Sequence, residues 1–509
     1  MQSQLDALLG RVTSLETRCH QLEDENSALR SANLQLRREN VRLTRENTKL
    51  RDHNTRLASR VTGLEAKLLL GSKDSTTSSK PPSTDDPTQR SRRYVDRPKS
   101  DRLPGGQAGH TGAGRDWVES PDQVVVHEPD TCKGCGGGLA GVAVLRTERR
   151  QLTDVQVSTT VTEHQASTKA CPQCGTKTKA LFPREVVGTV CFGPGVRAAV
   201  LALSAAGKLP SRVAADLAAA LFDIHIAPAV VDHWRRGLAS SLLDWDNAVV
   251  ELLKAAPVVG ADESPVAVDG MANAHAHVTV TELLTRFFLA GRTKADIISG
   301  GVLEDHPGRL VTDCHGTYWH IGVASHQACV GHLKREVDFF DKNYTPVVVA
   351  GRDTPKHPYP QFAAIHLLLQ EAVHLRNEQA PSGVPPGIGR QREALKKLTD
   401  SVELAFSARP RLNKTDRAAR ALCRRLNRLA ANDELFTFLE DLSVPPTNNW
   451  SEQPLRPWKV RQRRSGCFRS RVAAQEWLRI AGYLDTSRKH GTDPIEAIRL
   501  AVVGTPVMP

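Results

Sequence analysis

No run of eighteen apolar residues occurs in the 509-residue sequence, so no segment reads as a membrane-spanning helix. The polar start MQSQLDALLG has no apolar stretch of the kind a secretion signal needs, and the chain is expected to be cytoplasmic. Aromatic residues make up only 5%, which disfavours a base-stacking platform for single strands. Disulfides are not expected in a reducing compartment, and four of the ten cysteines fall instead into two Cys-x-x-Cys pairs. What remains is ordinary globular material, 40% hydrophobic and 24% charged, long enough for about three units at roughly 100–200 residues each. The net charge of +12 points to a polyanionic partner.

The clearest pattern is N-terminal. Leu8, Leu15, Leu22, Leu29, Leu36, Leu43, Leu50, Leu57 and Leu64 recur every seven residues, a heptad d position. The matching a positions are apolar at the ends and carry Asn26, Asn33, Asn40, Asn47 and Asn54 in the middle. Buried Asn at a with Leu at d favours two parallel strands in register. The g-to-e pairs Arg11 with Glu16, Arg18 with Glu23, Glu25 with Arg30, Glu46 with Arg51 and Arg60 with Glu65 match in sign, as a parallel homodimer over residues 1–70 requires. A lone helix or a heteromeric coil is the alternative. Residues 71–116, rich in Ser, Thr, Pro and Gly, read as a flexible linker whose Arg90, Arg92 and Arg93 make it basic.

Alternating segments over 117–194 predict short strands in a small β-rich module. It contains Cys132 and Cys135, then Cys171 and Cys174, each pair spaced for a tight knuckle, and two knuckles supply the four thiolates of a closed structural Zn2+ site. Two separate reduced pairs, or a redox motif, are the other reading. Residues 195–250 are helical in pattern. Within them SRVAADLAAAL and PAVVDHWRRGL resemble a helix-turn-helix, with Pro228 suited to a first helical position and His233, Arg235 and Arg236 as candidate DNA readers.

Beyond Ala256, PVVGADESPVAVDG, HAHVTVTE, RFFLAG and RLVTDCHG predict three strands, a crossover containing KADIISGGVLED, and a buried fourth strand. This is the opening of a ribonuclease H-like α/β fold. Asp262 and Asp313 end the apolar runs of the first and fourth strands, where they would meet and need a divalent cation between them. Glu452 in NNWSEQPLRP is the candidate third carboxylate of a two-metal site. Glu263, Asp269, Glu304, Asp305 and Glu336 compete for that chemistry. A helix capped at Asn449, Trp450 or Ser451 would place Pro454 in its first turn and Glu452 on one face with Arg456. Residues 341–442 read as an inserted helical subdomain. Two cationic stretches are expected to line a phosphate-binding groove. Arg409–Arg428, with Arg417, Arg420 and Arg424, and Arg456–Arg471, with Lys459, Arg461, Arg463 and Arg464, each carry a net +7.

GADESPVAV, LVTDCHGTYWHIG, CVGHLKRE and NNWSEQPLRP together resemble the DDE transposases of the insertion-sequence family numbered sixty-six. The likeness reaches upstream through GGQAGHTGAG and the paired Cys-x-x-Cys module. It implies a catalytic triad of Asp262, Asp313 and Glu452 holding Mg2+ or Mn2+, cleavage at transposon ends, and strand transfer by the freed 3′-hydroxyl. It also implies a bacterial, nucleoid-associated protein with DNA as partner and accessory proteins of the same element as further candidates. The chain departs from the usual family pattern at Gln453 and Pro454 after the glutamate and at Cys314 and His315 after the second aspartate. Cys329 and His332, in CVGH, could bind metal or hold a buried turn, and with only two ligands visible the turn is the preferred reading. The catalytic domain is then 251–340 with 443–485, followed by a tail at 486–509. A non-enzymatic, dimeric zinc-containing DNA-binding regulator is the alternative function.

Overall fold

A computed structural model describes residues 2–71, 116–155, 157–343, 361–407, 412 and 414–509. Most of the expected linker, with Arg90, Arg92 and Arg93, lies outside the described residues, as do Arg409 and Arg411. The chain divides into two compact units, residues 1–84 with 327–446 and residues 85–326 with 447–509.

The first helix, α1 (Gln2–Gly71), runs unbroken for 70 residues. Its heptad leucines from Leu8 to Leu64 are all exposed, so the apolar seam read from the sequence is presented to solvent. Short intrahelical pairs such as Arg42 with Glu39 and Glu46 support the polar faces, at tenths of a kcal/mol each.

The expected β-rich module is sparer than its alternation implies. β1 (Thr168–Ala170) and β2 (Lys177–Lys179) form one antiparallel ladder, with Thr168 opposite Lys179. The segments around Val124–Val126 and Val157–Val161 carry no ladder, and their valines are exposed. Alternation makes an apolar face, but a strand needs a second layer to cover it.

Four helices follow: α2 (Pro194–Leu201), α3 (Ser211–Phe222), α4 (Pro228–Ser241) and α5 (Leu243–Ala255). Pro228 opens α4 as expected, and Asp223 ends α3 in the left-handed region at φ 53°. These helices are not a separate segment, because Ala198, Leu201, Leu238, Trp245 and Val249 share one core with the sheet.

The sheet is built from β3 (Val258–Pro265), β4 (His275–Val280), β5 (Thr285–Ala290), β6 (His306–Thr312) and β7 (Val323–Ala328), in the order β5-β4-β3-β6-β7. The first three form an antiparallel meander, with Glu263 opposite His277 and His277 opposite Phe288. The crossover contains the short α6 (Lys294–Ile298), and β6 returns parallel to β3. Burial explains the texture. Central β3 is covered over Val258–Ala261 and reads as a continuous apolar run, whereas the outer β5 alternates along Thr285–Phe288.

After β7 the other unit continues with α7 (Val330–Asn343), α8 (Gln361–Gln379), α9 (Gly389–Ser407) and α10 (Lys414–Ala431). Phe362, Ile365, Leu369, Leu395, Val402, Phe406, Leu422 and Leu426 are buried there.

The chain then completes the sheet unit with α11 (Asn449–Ser465), α12 (Arg471–Lys489) and α13 (Pro494–Val502). Two sequence expectations change here. Residues 486–509 are not a bare tail: Ala497, Ile498 and Ala501 bury one face of α13 in the shared core. And α11 begins at Asn449, so Pro454 and Pro457 fall inside it rather than in its first turn. Each interior proline costs about 3 kcal/mol in an isolated helix. Buried Leu455 and Trp458 hold α11 against the core and offset that cost.

Candidate active site

The site follows from sheet register. β3 and β6 run parallel with Gly260 opposite Val311. Two residues beyond that pair, at the same end of the sheet, stand Asp262 and Asp313. Asp262 accepts the backbone N–H of Glu263 at 2.8 Å, and Asp313 accepts that of His315 at 2.9 Å, so each carboxylate is oriented by its own chain.

Glu452 arrives on α11, fastened to β3 by the residues before it. Asn448 Nδ2 donates to the Ala261 carbonyl at 3.1 Å, and the Ser451 hydroxyl donates to Asn448 Oδ1 at 2.7 Å. Gly260 permits the approach, since a Cβ there would come within 2.7 Å of Ser451 Oγ. Arg456 Nη2 lies 3.9 Å from Glu452 Oε2, so the helix survives its prolines far enough to put both on one face.

The electrostatics reflect this crowding. Burial lifts the Asp262 carboxyl well above the ordinary range, and the charges of Asp313, Glu263 and Glu452 lift it further. Burial also raises Asp313, with Glu263 adding to the effect and the His315 N–H opposing it. Buried carboxylates that raise one another in this way are relieved by a nearby cation. Among the described residues the three carboxylates do not all lie within 4.8 Å of one another.

A fourth carboxylate stands among them but is already engaged. Glu263 Oε2 accepts the Tyr318 hydroxyl at 2.7 Å, and Oε1 accepts Arg292 Nε at 2.8 Å and pairs with Nη2 at 2.7 Å. Burial alone would raise Glu263, but these bonds and the Arg292 charge pull it below its ordinary value. Of the other competitors, Asp269, Glu304 and Asp305 are exposed, and Glu336 belongs to the other unit, where it pairs with Arg425.

The cysteines form two knuckles of one design. Cys132 N–H donates to the Gly137 carbonyl and Gly136 N–H to that of Cys132. Cys171 N–H and Gly175 N–H repeat the pattern with Thr176 and Cys171. Gly136 and Gly175 take φ near +77° and +71°, which is why glycine closes both turns. Hydrogen bonds within the knuckles lower the Cys132 and Cys174 thiols, as metal ligation favours. Among the described residues, however, no three of these four sulfurs are gathered within 4.8 Å. The two knuckles are each built, and their sulfurs are not brought together.

The cationic candidates divide sharply. Arg456, Arg236 and Arg417 are exposed. Lys459, Arg463 and Arg464 lie on α11, with side chains outside the described ones. Four others do not face solvent as free cations. Arg235 is buried and paired with Glu476 at 2.7 Å. Arg461 is buried with its guanidinium 3.9 Å from the Phe468 ring centre and 4.5 Å from that of Trp477. Arg420 and Arg424 both bind Glu403, at 2.7 and 3.0 Å. In each case the charge excess visible in sequence is met by acids or rings distant in sequence. His233 is exposed on α4. Cys329 and His332 are buried at the start of α7, where burial pushes the imidazole down to about 3.

The mixed sheet thus presents two strand-end aspartates beside a helix that carries a glutamate. Residues 189–476 match the family described as Transposase IS66 family, more than half of the chain, and the protein belongs to that family of transposases. Residues 1–116 match a family of unknown function (DUF6444). No curated protein matches the chain. Among the described residues no helix is long and apolar enough to cross a membrane.

Sequence reading singled out the three carboxylates but missed their supports. Asn448 and Ser451 both precede Glu452 in the NNWSE motif, and that Asn and Ser, set one helical turn apart, were the available signal. Arg292 and Tyr318 lie far from Glu263 in sequence; Tyr318 falls within the LVTDCHGTYWHIG motif, while nothing local marked Arg292.

Proposed function

We propose that the protein is a metal-dependent DNA transposase with Asp262, Asp313 and Glu452 as its catalytic triad. The register that sets Asp262 and Asp313 at adjacent strand ends, with the helix of Glu452 fastened to β3 through Asn448, carries the reading. The strand order, with an antiparallel opening and β6 parallel to β3, supports a ribonuclease H-like domain. Mg2+ or Mn2+ held by the triad would supply Lewis-acid stabilisation of charge on the attacking and leaving oxygens. In the first displacement a water oxygen bonds to phosphorus, the bond from phosphorus to the 3′-oxygen breaks, and the proton lost by water is balanced by one gained at that oxygen. In the second, the new 3′-hydroxyl takes the place of water: its oxygen bonds to a target phosphorus, the bond from that phosphorus to the target's own 3′-oxygen breaks, and that oxygen gains the proton the attacking hydroxyl loses.

The exposed seam of α1 and its sign-matched flanks support a parallel homodimer. The twin knuckles support thiolate ligation of Zn2+ by Cys132, Cys135, Cys171 and Cys174, with the ion bringing the two halves together. Arg456, Arg236 and Arg417, with Lys459, Arg463 and Arg464, are the proposed phosphate contacts.

The test uses a supercoiled plasmid carrying the DNA that borders the gene. With Mg2+, the full-length protein should generate 3′-hydroxyl ends at those borders, and Asp262→Ala should bind the same DNA without cutting it. Wild-type binding with no cutting under any divalent ion would instead support the regulator.

A further inference from the structure

Arg292 sits in the turn between β5 and α6, two strands away from Asp262, and several contacts bring its head back to the site. His277 Nε2 lies 2.6 Å from the Gly291 carbonyl and pins the start of the turn across β4. Thr293 and Asp296 close a capping box that fixes its end: Thr293 Oγ1 accepts from Asp296 N–H, and Asp296 accepts from Thr293 N–H at 2.9 Å. Gly291 is required between them, because a Cβ would stand 2.5 Å from Asp296 Oδ2. The turn is thus held at both ends, with Arg292 between the anchors.

Its guanidinium is then oriented by a single carboxylate. Nε and Nη2 both meet Glu263 Oε1, while Tyr318 occupies Oε2, so Glu263 has both oxygens engaged in holding its neighbours. Nη1 has no acceptor among the described residues, and the Arg292 side chain remains 46% exposed. The head is close enough to Asp313 for its charge to be felt there. A guanidinium clamped on one edge, open on the other and beside the carboxylates has the form of an anion clamp.

Resting on the transposase reading, we infer that Arg292 is a further catalytic residue, its free edge donating to a non-bridging oxygen of the reacting phosphodiester, with Glu263 and Tyr318 as its positioning residues. In both displacements negative charge grows on those oxygens as the bond to the entering oxygen forms and the bond to the leaving oxygen breaks, and a preorganised donor stabilises that charge. Glu263 thereby acquires a role that keeps it out of the metal set although it directly follows Asp262.

The test compares full-length variants on the border plasmid. Arg292→Ala should lower the cleavage rate at saturating protein about 10²-fold, as loss of one transition-state donor does, with little change in DNA affinity. Methylguanidinium added in solution should restore part of the rate to Arg292→Ala and none to Asp262→Ala. Glu263→Gln, which keeps an acceptor for Tyr318 but loses the charge on Arg292, should fall between wild type and Arg292→Ala while melting near the wild-type temperature. An Arg292→Ala enzyme that cuts at the wild-type rate, or that loses rate only in step with DNA affinity and is not rescued, would overturn the assignment while leaving the transposase reading intact. A wild type that fails to cut, with Asp262→Ala indistinguishable from it, would remove both.

Discussion

The carboxylate site and the cysteine knuckles both invite a metal ion, yet they are assembled by different means. Asp262 and Asp313 are brought together by strand register, and Glu452 by a helix fastened to the same strand, so the gathering is a by-product of a buried core. Each knuckle is a local turn, complete within six residues, and little core lies around it. Packing sets the two aspartates side by side on neighbouring strands and holds the glutamate's helix to one of them, yet among the described residues the three carboxylates, like the four sulfurs, are not drawn within 4.8 Å of one another. Packing fixes direction over a long stretch of chain, whereas a turn fixes it over a few residues.

The sharpest way to break this contrast is at the carboxylates. Asp262→Ala, Asp313→Ala or Glu452→Ala should each reduce DNA cleavage by on the order of 10³-fold or more in a gel assay while the protein stays folded. Next in size is removal of zinc. Chelation should release about one Zn2+ per chain and expose residues 116–190 to protease, while the sheet unit keeps its melting temperature; loss of both together would mean the module and the sheet are one cooperative unit.

A smaller effect tests the stored repulsion. Because Asp262 and Asp313 are raised on folding, the folded state holds protons that the unfolded chain releases. Stability of the metal-free protein should therefore fall as pH rises from the unfolded carboxylate value of about 4 through the raised folded values. Asp262→Asn should flatten that decline and raise the metal-free melting temperature at neutral pH by about 2–4 °C, the shift ~1 kcal/mol gives in a domain of this size. Mg2+ should stabilise wild type and not the variant. The smallest change is Asn448→Ala, which removes the link between Ala261 and Ser451: about 0.5–1 kcal/mol less stability by urea melts, with a larger loss of cleavage than of folding.

Much of this was legible in the sequence because it is written locally. The heptads of α1, the apolar run of β3 ending in Asp262, and the fifteen-residue crossover before β6 each announce an element within one window. The twin Cys-x-x-Cys pairs announce the knuckles. What escaped depends on partners far along the chain. Arg461 reads as a phosphate contact until Phe468 and Trp477 are seen to enclose it, and Arg235 until Glu476 meets it. The valines near 124 and 157 read as strands because alternation reports a face but not whether anything covers it.

The prolines of α11 have a consequence for timing. With no N–H at Pro454 and Pro457, the carbonyls of Trp450 and Gln453 lose the donors that an uninterrupted helix would give them, so α11 has fewer internal bonds to break. In hydrogen exchange it is expected to open before β3 and β6. Two of the three carboxylates would then stand on the slowest-opening backbone of the sheet and the third on one of the fastest, making the glutamate the member whose arrival decides when the trio is complete.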